Sequence, residues 1–197
     1  MSYSTDPILT PVGRVTLPAL AKPDDNGKYG LTMIFDSEAD LKKLKAMVDE
    51  CIKVEWGSKY KPAQLSLPFK NGNDKTDDEG NVRPEYAGCT LATMGTKYAV
   101  TVLNPAKKPI PTAQLEAEVY GGCYCIAQVN AYAWEYTEKG KVMKRGVSLG
   151  LMNLMKVRDG ERLGGGKRIS AEDAFADVEV EASSDDPSNY TNDDYDL

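Results

Sequence analysis

Histidine does not occur among the 197 residues of this chain. That absence removes Ser-His and Cys-His nucleophile pairs, a histidine general base and the commonest metal ligand. Long apolar runs are missing as well, and none approaches the roughly 20 residues that a membrane-spanning helix needs. The opening MSYSTDPILTP carries neither the basic region nor the apolar stretch of a signal peptide. A cytoplasmic protein with no membrane association is expected. Cysteine is sparse: Cys51, Cys89, Cys123 and Cys125 make up the four, and they read as free thiols. Cys123 and Cys125 would share one face of a strand, yet tetrahedral zinc wants three or four nitrogen or sulfur ligands. No metal and no cofactor are expected.

Two strings resemble catalytic or metal motifs and fail on inspection. DGERLGGGKR approaches the phosphate-loop pattern, but Glu161 stands where the first glycine belongs and Arg168 replaces the Ser or Thr. The acids Asp74, Asp77, Asp78 and Glu79 precede Gly80, and counting back from that glycine puts Lys75 at the first ligand position of an EF-hand. The chain reads as a non-enzyme.

What is present is an uneven distribution of charge. The net charge is -6, but residues 171–197 hold ten acids and no Lys or Arg. Residues 1–170 therefore carry 24 basic groups against 20 acids, a net charge of +4. A basic body with a separate acidic tail suits a polyanionic ligand. The division predicts a folded core over 1–175 and a disordered acidic tail over 176–197.

Within the core, TPVGRVTLPALAK (10–22) and KYGLTMIFD (28–36) read as two strands joined by the Asp/Asn-Gly turn of 22–28. Ser37 is the predicted cap of a helix over 38–55, with Leu41, Leu44, Val48, Cys51 and Ile52 at helical spacing. Residues 57–88 form a long excursion with its own hairpin near Asp78–Asn81. Short strands are expected at 88–94 and 97–103, before a Pro-rich turn at 105–111. Two long strands separated by a Glu-Lys-Gly turn occupy 119–158, and a short helical turn is expected near Ser170–Phe175. No internal repeat is visible. The predicted fold is mostly β: an OB-like antiparallel β-barrel with one main α-helix.

Alternation along 119–136 separates two faces. Val119, Cys123, Cys125, Ala127, Val129, Ala131 and Ala133 are small and apolar, suited to a barrel interior. Tyr120, Tyr124, Tyr132, Trp134 and Tyr136 alternate with Ile126, Gln128 and Asn130 on the other face. Rings on an open sheet stack unpaired bases at about 1–3 kcal/mol per base. Lys144, Arg145, Lys156 and Arg158 on the partner strand would track phosphates. Tyrosines also favour strands for packing alone, so the stripe supports both a binding and a structural reading. The candidate DNA-binding set is completed by Arg14, Tyr29, Lys97 and Tyr98. The tip Asp193, Asp194, Tyr195, Asp196 and Leu197 mixes acids with apolar groups, as a segment that docks on a basic pocket would.

The segments LTPVGRVTLPAL, KYGLTMIFD, LPFKNGND, PEYAGCTLATMG, VYGGCYCIAQVNAYAW and KRGVSLGLMNLMKVRDGERLGGG resemble, in this order, a family of bacteriophage single-stranded-DNA-binding proteins with an OB fold. The likeness covers most of residues 9–175. It implies an OB-type barrel, preference for single strands over duplex, a role in phage replication or recombination, and a regulatory acidic C-terminus. Two features depart from the pattern. The helix follows only two predicted strands, and TKYAV around Lys97 and Tyr98 lacks the Arg-Pro of relatives. The expected function is sequence-independent binding and protection of single-stranded DNA, the tail competing with DNA and recruiting replication or recombination proteins. A homo-oligomer is compatible with this. The alternatives are a strand-annealing factor, and a protein–protein adaptor or virion component.

Overall fold

The computed structural model describes residues 3–57 and 61–163. The chain divides into units of residues 1–164 and 165–197. The second unit lies outside the described residues, as do the expected turn at Ser170–Phe175, the boundary at 175/176 and the acidic tail with its tip.

Among the described residues, eight strands and two α-helices make up the first unit. They are β1 (Ile8–Leu9), β2 (Gly13–Ala19), β3 (Tyr29–Phe35), α1 (Lys42–Trp56), β4 (Phe69–Asn71), β5 (Thr90–Thr96), β6 (Thr101–Leu103), α2 (Leu115–Glu118), β7 (Tyr124–Glu138) and β8 (Lys141–Arg158). Pairings run β7–β2–β3–β5–β8, and β8 pairs back onto β7, so five strands close a ring. In chain order that ring reads first, second, third, fifth, fourth, which is the OB arrangement. The β2–β7 and β5–β8 seams hold only two residue pairs each, so the ring is partly open. The β5–β8 and β6–β8 pairs run parallel, which makes the sheet mixed where an antiparallel one was expected. The reason is connectivity: β8 is antiparallel to its hairpin partner β7 and reaches β5 and β6 only after long crossovers.

The long hairpin follows from its turn. Lys139 and Gly140 both have positive φ, 48° and 78°, the requirement of a two-residue turn whose twist matches the flanking strands. Alternation then fills the interior. Cys123, Cys125, Ala127, Val129, Ala131 and Ala133 are all at most 1% exposed, as the sequence reading expected. They form one cluster with Val15, Met33, Phe35, Met94, Leu149 and Leu154. Each large aliphatic or aromatic group so buried contributes about 1.5–3 kcal/mol.

Helix α1 starts at Lys42, four residues later than predicted. Residues 37–39 turn instead, and the cap position falls to Leu41, whose side chain makes no capping hydrogen bond; the Asp40 carboxylate just before it accepts the Lys42 amide at 3.0 Å. Its buried Leu44, Met47, Val48, Cys51 and Ile52 join the cluster of the strands' inner side chains. The helix therefore packs on the inner side of β7 and leaves the outer face of that strand open. The described part of the excursion before β5 is structured: Asp77 accepts amides of Glu79 and Asn81, closing the expected tight turn. The long strand predicted from 119 begins only at Tyr124, because α2 and a turn occupy 115–122.

Candidate nucleic-acid interface

A groove runs across the outer face of the ring, where the β3–β5 edge meets the β7–β8 hairpin. It consists of two contiguous hollows of about 480 and 550 Å³ that share Gly95, Thr96, Lys97 and Tyr132. Its floor is set by strand register. Gly30 faces Gly95 across β3 and β5, and a Cβ on Gly30 would stand 2.5 Å from the Met94 carbonyl oxygen. Gly30 thus allows the β3 and β5 backbones to approach closely, and the two glycines line the first hollow with a strip of bare backbone. Beside it Thr32 and Thr93 join hydroxyls at 3.0 Å.

Rings, cations and amides surround that strip. Tyr29 and Tyr132 line the first hollow with Lys28, and Tyr98 and Asn130 line the second with Met152. Tyr98 is 80% exposed. Lys28 and Lys97 are the cations lining the hollows, and Asp24 the acid. The Asp24 carboxylate accepts the amides of Lys28 and Asn26, which hold it below the usual carboxylate range. It therefore stays negatively charged, with Lys28 beside it. Asn130 donates to the Ser4 hydroxyl at 2.7 Å, and its carboxamide lies where a side chain at residue 150 would be. Gly150 therefore makes room for that amide.

The structure brings together only part of the candidate set. Tyr29, Lys97, Tyr98 and Tyr132 meet in the groove. Tyr136 and Lys144 face each other further along the same hairpin face, near its tip. Arg145 lies on the opposite face, where its Nε donates to Glu135, a carboxylate that Trp56 also reaches. Trp134 rests against Gly146 beside Ser66 and is half-buried, its Nε1 without a hydrogen-bond partner among the described residues.

Tyr120, Tyr124, Arg14, Lys156 and Arg158 gather instead at the far end of β7. Eight residues separate Tyr124 from Tyr132, about 27 Å at ~3.4 Å per residue. Tyr124 pairs with Arg14 on one side and Arg158 on the other. Arg14 also donates to the Glu161 carbonyl at 2.7 Å. Arg162, which the sequence reading passed over, sits 4.0 Å from the Tyr120 ring centroid. The Tyr120 hydroxyl donates to Asp159 at 2.9 Å.

Lys156 points inward. It is 5% exposed and bridges Glu118 and Asp159 at 2.8 and 2.9 Å. Burial alone would pull its pKa down, but the hydrogen bonds to Glu118 and Asp159 outweigh that and hold it above its ordinary value. The register shift between Tyr124/Cys125 and their partners turns Lys156 towards the Cys125 side, a shift that the sequence does not announce.

The residues missed were Leu17, Lys28, Ser148, Gly150 and Met152, together with the Gly30–Gly95 strip. Individually they carry no binding signal. Only the strand pairings bring them to one place.

Among the described residues no group of three or more Cys, Asp or Glu is placed to hold a metal ion. The Cys123 and Cys125 sulfurs lie 3.8 Å apart in the core, and the hydrogen bond between them and burial push the Cys125 thiol up. No described helix is long and apolar enough to cross a membrane.

Comparison with known proteins bears on this geometry. The single-stranded DNA-binding protein of bacteriophage Enc34 superposes with a TM-score of 0.61 at 23% identity, over 86% of this chain and 89% of that one. The same protein in complex with single-stranded DNA gives 0.60 at 24% identity, over 80% and 89%. Gp2.5, a single-stranded DNA-binding protein encoded by bacteriophage T7, gives 0.56 at 15% identity over 90% and 97%. These likenesses bear out the fold. No curated protein matches the sequence. The family described as "Enterobacter phage Enc34, ssDNA-binding protein" matches residues 15–186. On that match the chain belongs to the Enc34 single-stranded-DNA-binding family.

Proposed function

We propose that this protein binds single-stranded DNA without regard to sequence, in the groove between the β3–β5 edge and the β7–β8 hairpin. The observation that carries the reading is the joining of two hollows at Tyr132 and Lys97 over the bare Gly30–Gly95 strip. Rings at Tyr29, Tyr98 and Tyr132 offer faces to unpaired bases, while Lys28 and Lys97 attract phosphates. Tyr136 and Lys144 extend the same face along the hairpin. The loop between the first two ring strands and the face of the second and third are where OB folds take oligonucleotides, and Lys28, Gly30 and Gly95 lie there. Neither a nucleophile–base pair nor a metal is part of this reading. Coating of single strands during phage replication or recombination is the corresponding role, inside the host cytoplasm.

The acidic residues of 171–197 belong to the same proposal. Ten carboxylates tethered to the body imitate the ligand, at an effective concentration on the order of mM. They compete for the basic groove, and DNA releases them to partner proteins.

Anisotropy of a labelled oligo-dT, titrated at several salt concentrations, tests the groove. Affinity is expected to fall linearly on a log–log plot, by about 0.7 per phosphate neutralised. A flat salt response overturns the proposal. Truncation after Ala182, which removes five of the ten carboxylates, should tighten binding, and unchanged affinity would remove the competing role of residues 183–197.

A further inference from the structure

Leu17 combines two features that folding alone does not explain. Its φ is +50°, in the left-handed region that residues with a Cβ avoid. Pro18 follows it, and proline pushes its predecessor towards extended backbone. The side chain is also 75% exposed, so burial of the leucine offsets none of that cost.

The local cause is a bulge. Thr16 pairs with Thr32 and Ala19 with Gly30, so β2 carries Leu17 and Pro18 opposite the single residue Leu31. Bulges of this kind re-aim a side chain. This one sets Leu17 on the rim of the first hollow, with Lys28, Tyr29 and Tyr132. Glycine would occupy the same backbone without strain, yet a bulky apolar group stands there.

We infer that Leu17 is an apolar wedge for unpaired nucleobases, aimed into the groove by the strained bulge. The inference rests on the groove being the DNA site. The branched end of the side chain packs on the face of a base beside the tyrosines. Such faces are accessible in a single strand and stacked away in a duplex, so the contact adds affinity without reading sequence and favours single strands.

The test compares Leu17→Gly, Leu17→Met and Tyr132→Ala in the full chain, by oligo-dT titration and thermal melting. Leu17→Gly is expected to melt higher than the parent, because glycine accepts positive φ, and to bind about tenfold more weakly. Leu17→Met, which keeps volume and apolarity, should stay within about twofold of the parent. Should Leu17→Gly bind like the parent while Tyr132→Ala weakens, the wedge is wrong and the groove stands. If neither weakens, the groove reading fails and the wedge with it. A lower melting temperature for Leu17→Gly overturns the claim of strain on which the aim of the side chain depends.

Discussion

Arg158 sits over Tyr124, its guanidinium carbon 3.4 Å from the ring centroid. Arg14 pairs with the same tyrosine from the other neighbouring strand. Tyr132, on the same face of β7, borders both hollows of the groove. One stripe of aromatic residues therefore contains rings engaged within the protein and a ring that borders the groove.

The two tyrosines should separate in mutagenesis. Tyr124→Ala is expected to destabilise the fold by about 1–3 kcal/mol, through lost packing and the cation–π contact, with oligo-dT affinity nearly unchanged. Tyr132→Ala should weaken binding by about 1–3 kcal/mol and shift melting less. Melting curves and titrations run in parallel decide it. Equal loss of affinity in both variants would mean that DNA displaces Arg158 from the ring.

Lys28 and Lys97 are the cations of the groove proper. Replacing either with Ala should reduce the salt slope of oligo-dT binding by about 0.7, one phosphate contact on a single strand. Lys156→Ala should leave the slope unchanged and lower the melting temperature, because the ammonium is buried between Glu118 and Asp159.

Gly30→Ala tests the floor. The new Cβ would press on the Met94 carbonyl and stand 3.0 Å from the Gly95 Cα, and backbone gives way poorly. A loss of roughly 1–3 kcal/mol in stability is expected from that overpacking, measured by denaturant titration. Tolerance without loss would show that β3 and β5 separate easily at this point.

Acid pH bears on the Lys156 bridge. Hydrogen bonds from Lys156 and Tyr120 hold the Asp159 carboxyl below its ordinary value. A depressed pKa adds stability that is complete above the unfolded value of about 3.9 and disappears as pH falls through the folded one. Asp159→Asn should therefore melt lower than the parent at pH 7, and the gap should close below about pH 4. Melting both proteins from pH 7 to pH 2.5 measures it. A gap that persists at pH 2.5 would assign the loss to packing.

The linear chain determined a good deal by itself. Alternation along β7 identified Cys125, Ala127, Val129, Ala131 and Ala133 as the inner face, because a strand's period of two leaves small apolar groups one side to occupy. Helical spacing located α1 but misplaced its start, since Ser37 is an acceptable cap by type and only the path of the turn moves the cap position on to Leu41. The charge division between residues 1–170 and 171–197 needs no coordinates. Tertiary structure decided which rings and cations belong together. Tyr124 and Tyr132 look alike in the sequence, but strand pairing places Arg14 and Arg158 beside one, while the closed ring puts the other in the same hollows as Gly95 and Lys97. The Gly30–Gly95 strip and the bulge at Leu17 exist only once β2, β3 and β5 have found their register, because contacts between strands far apart in the chain depend on the closure of the whole ring.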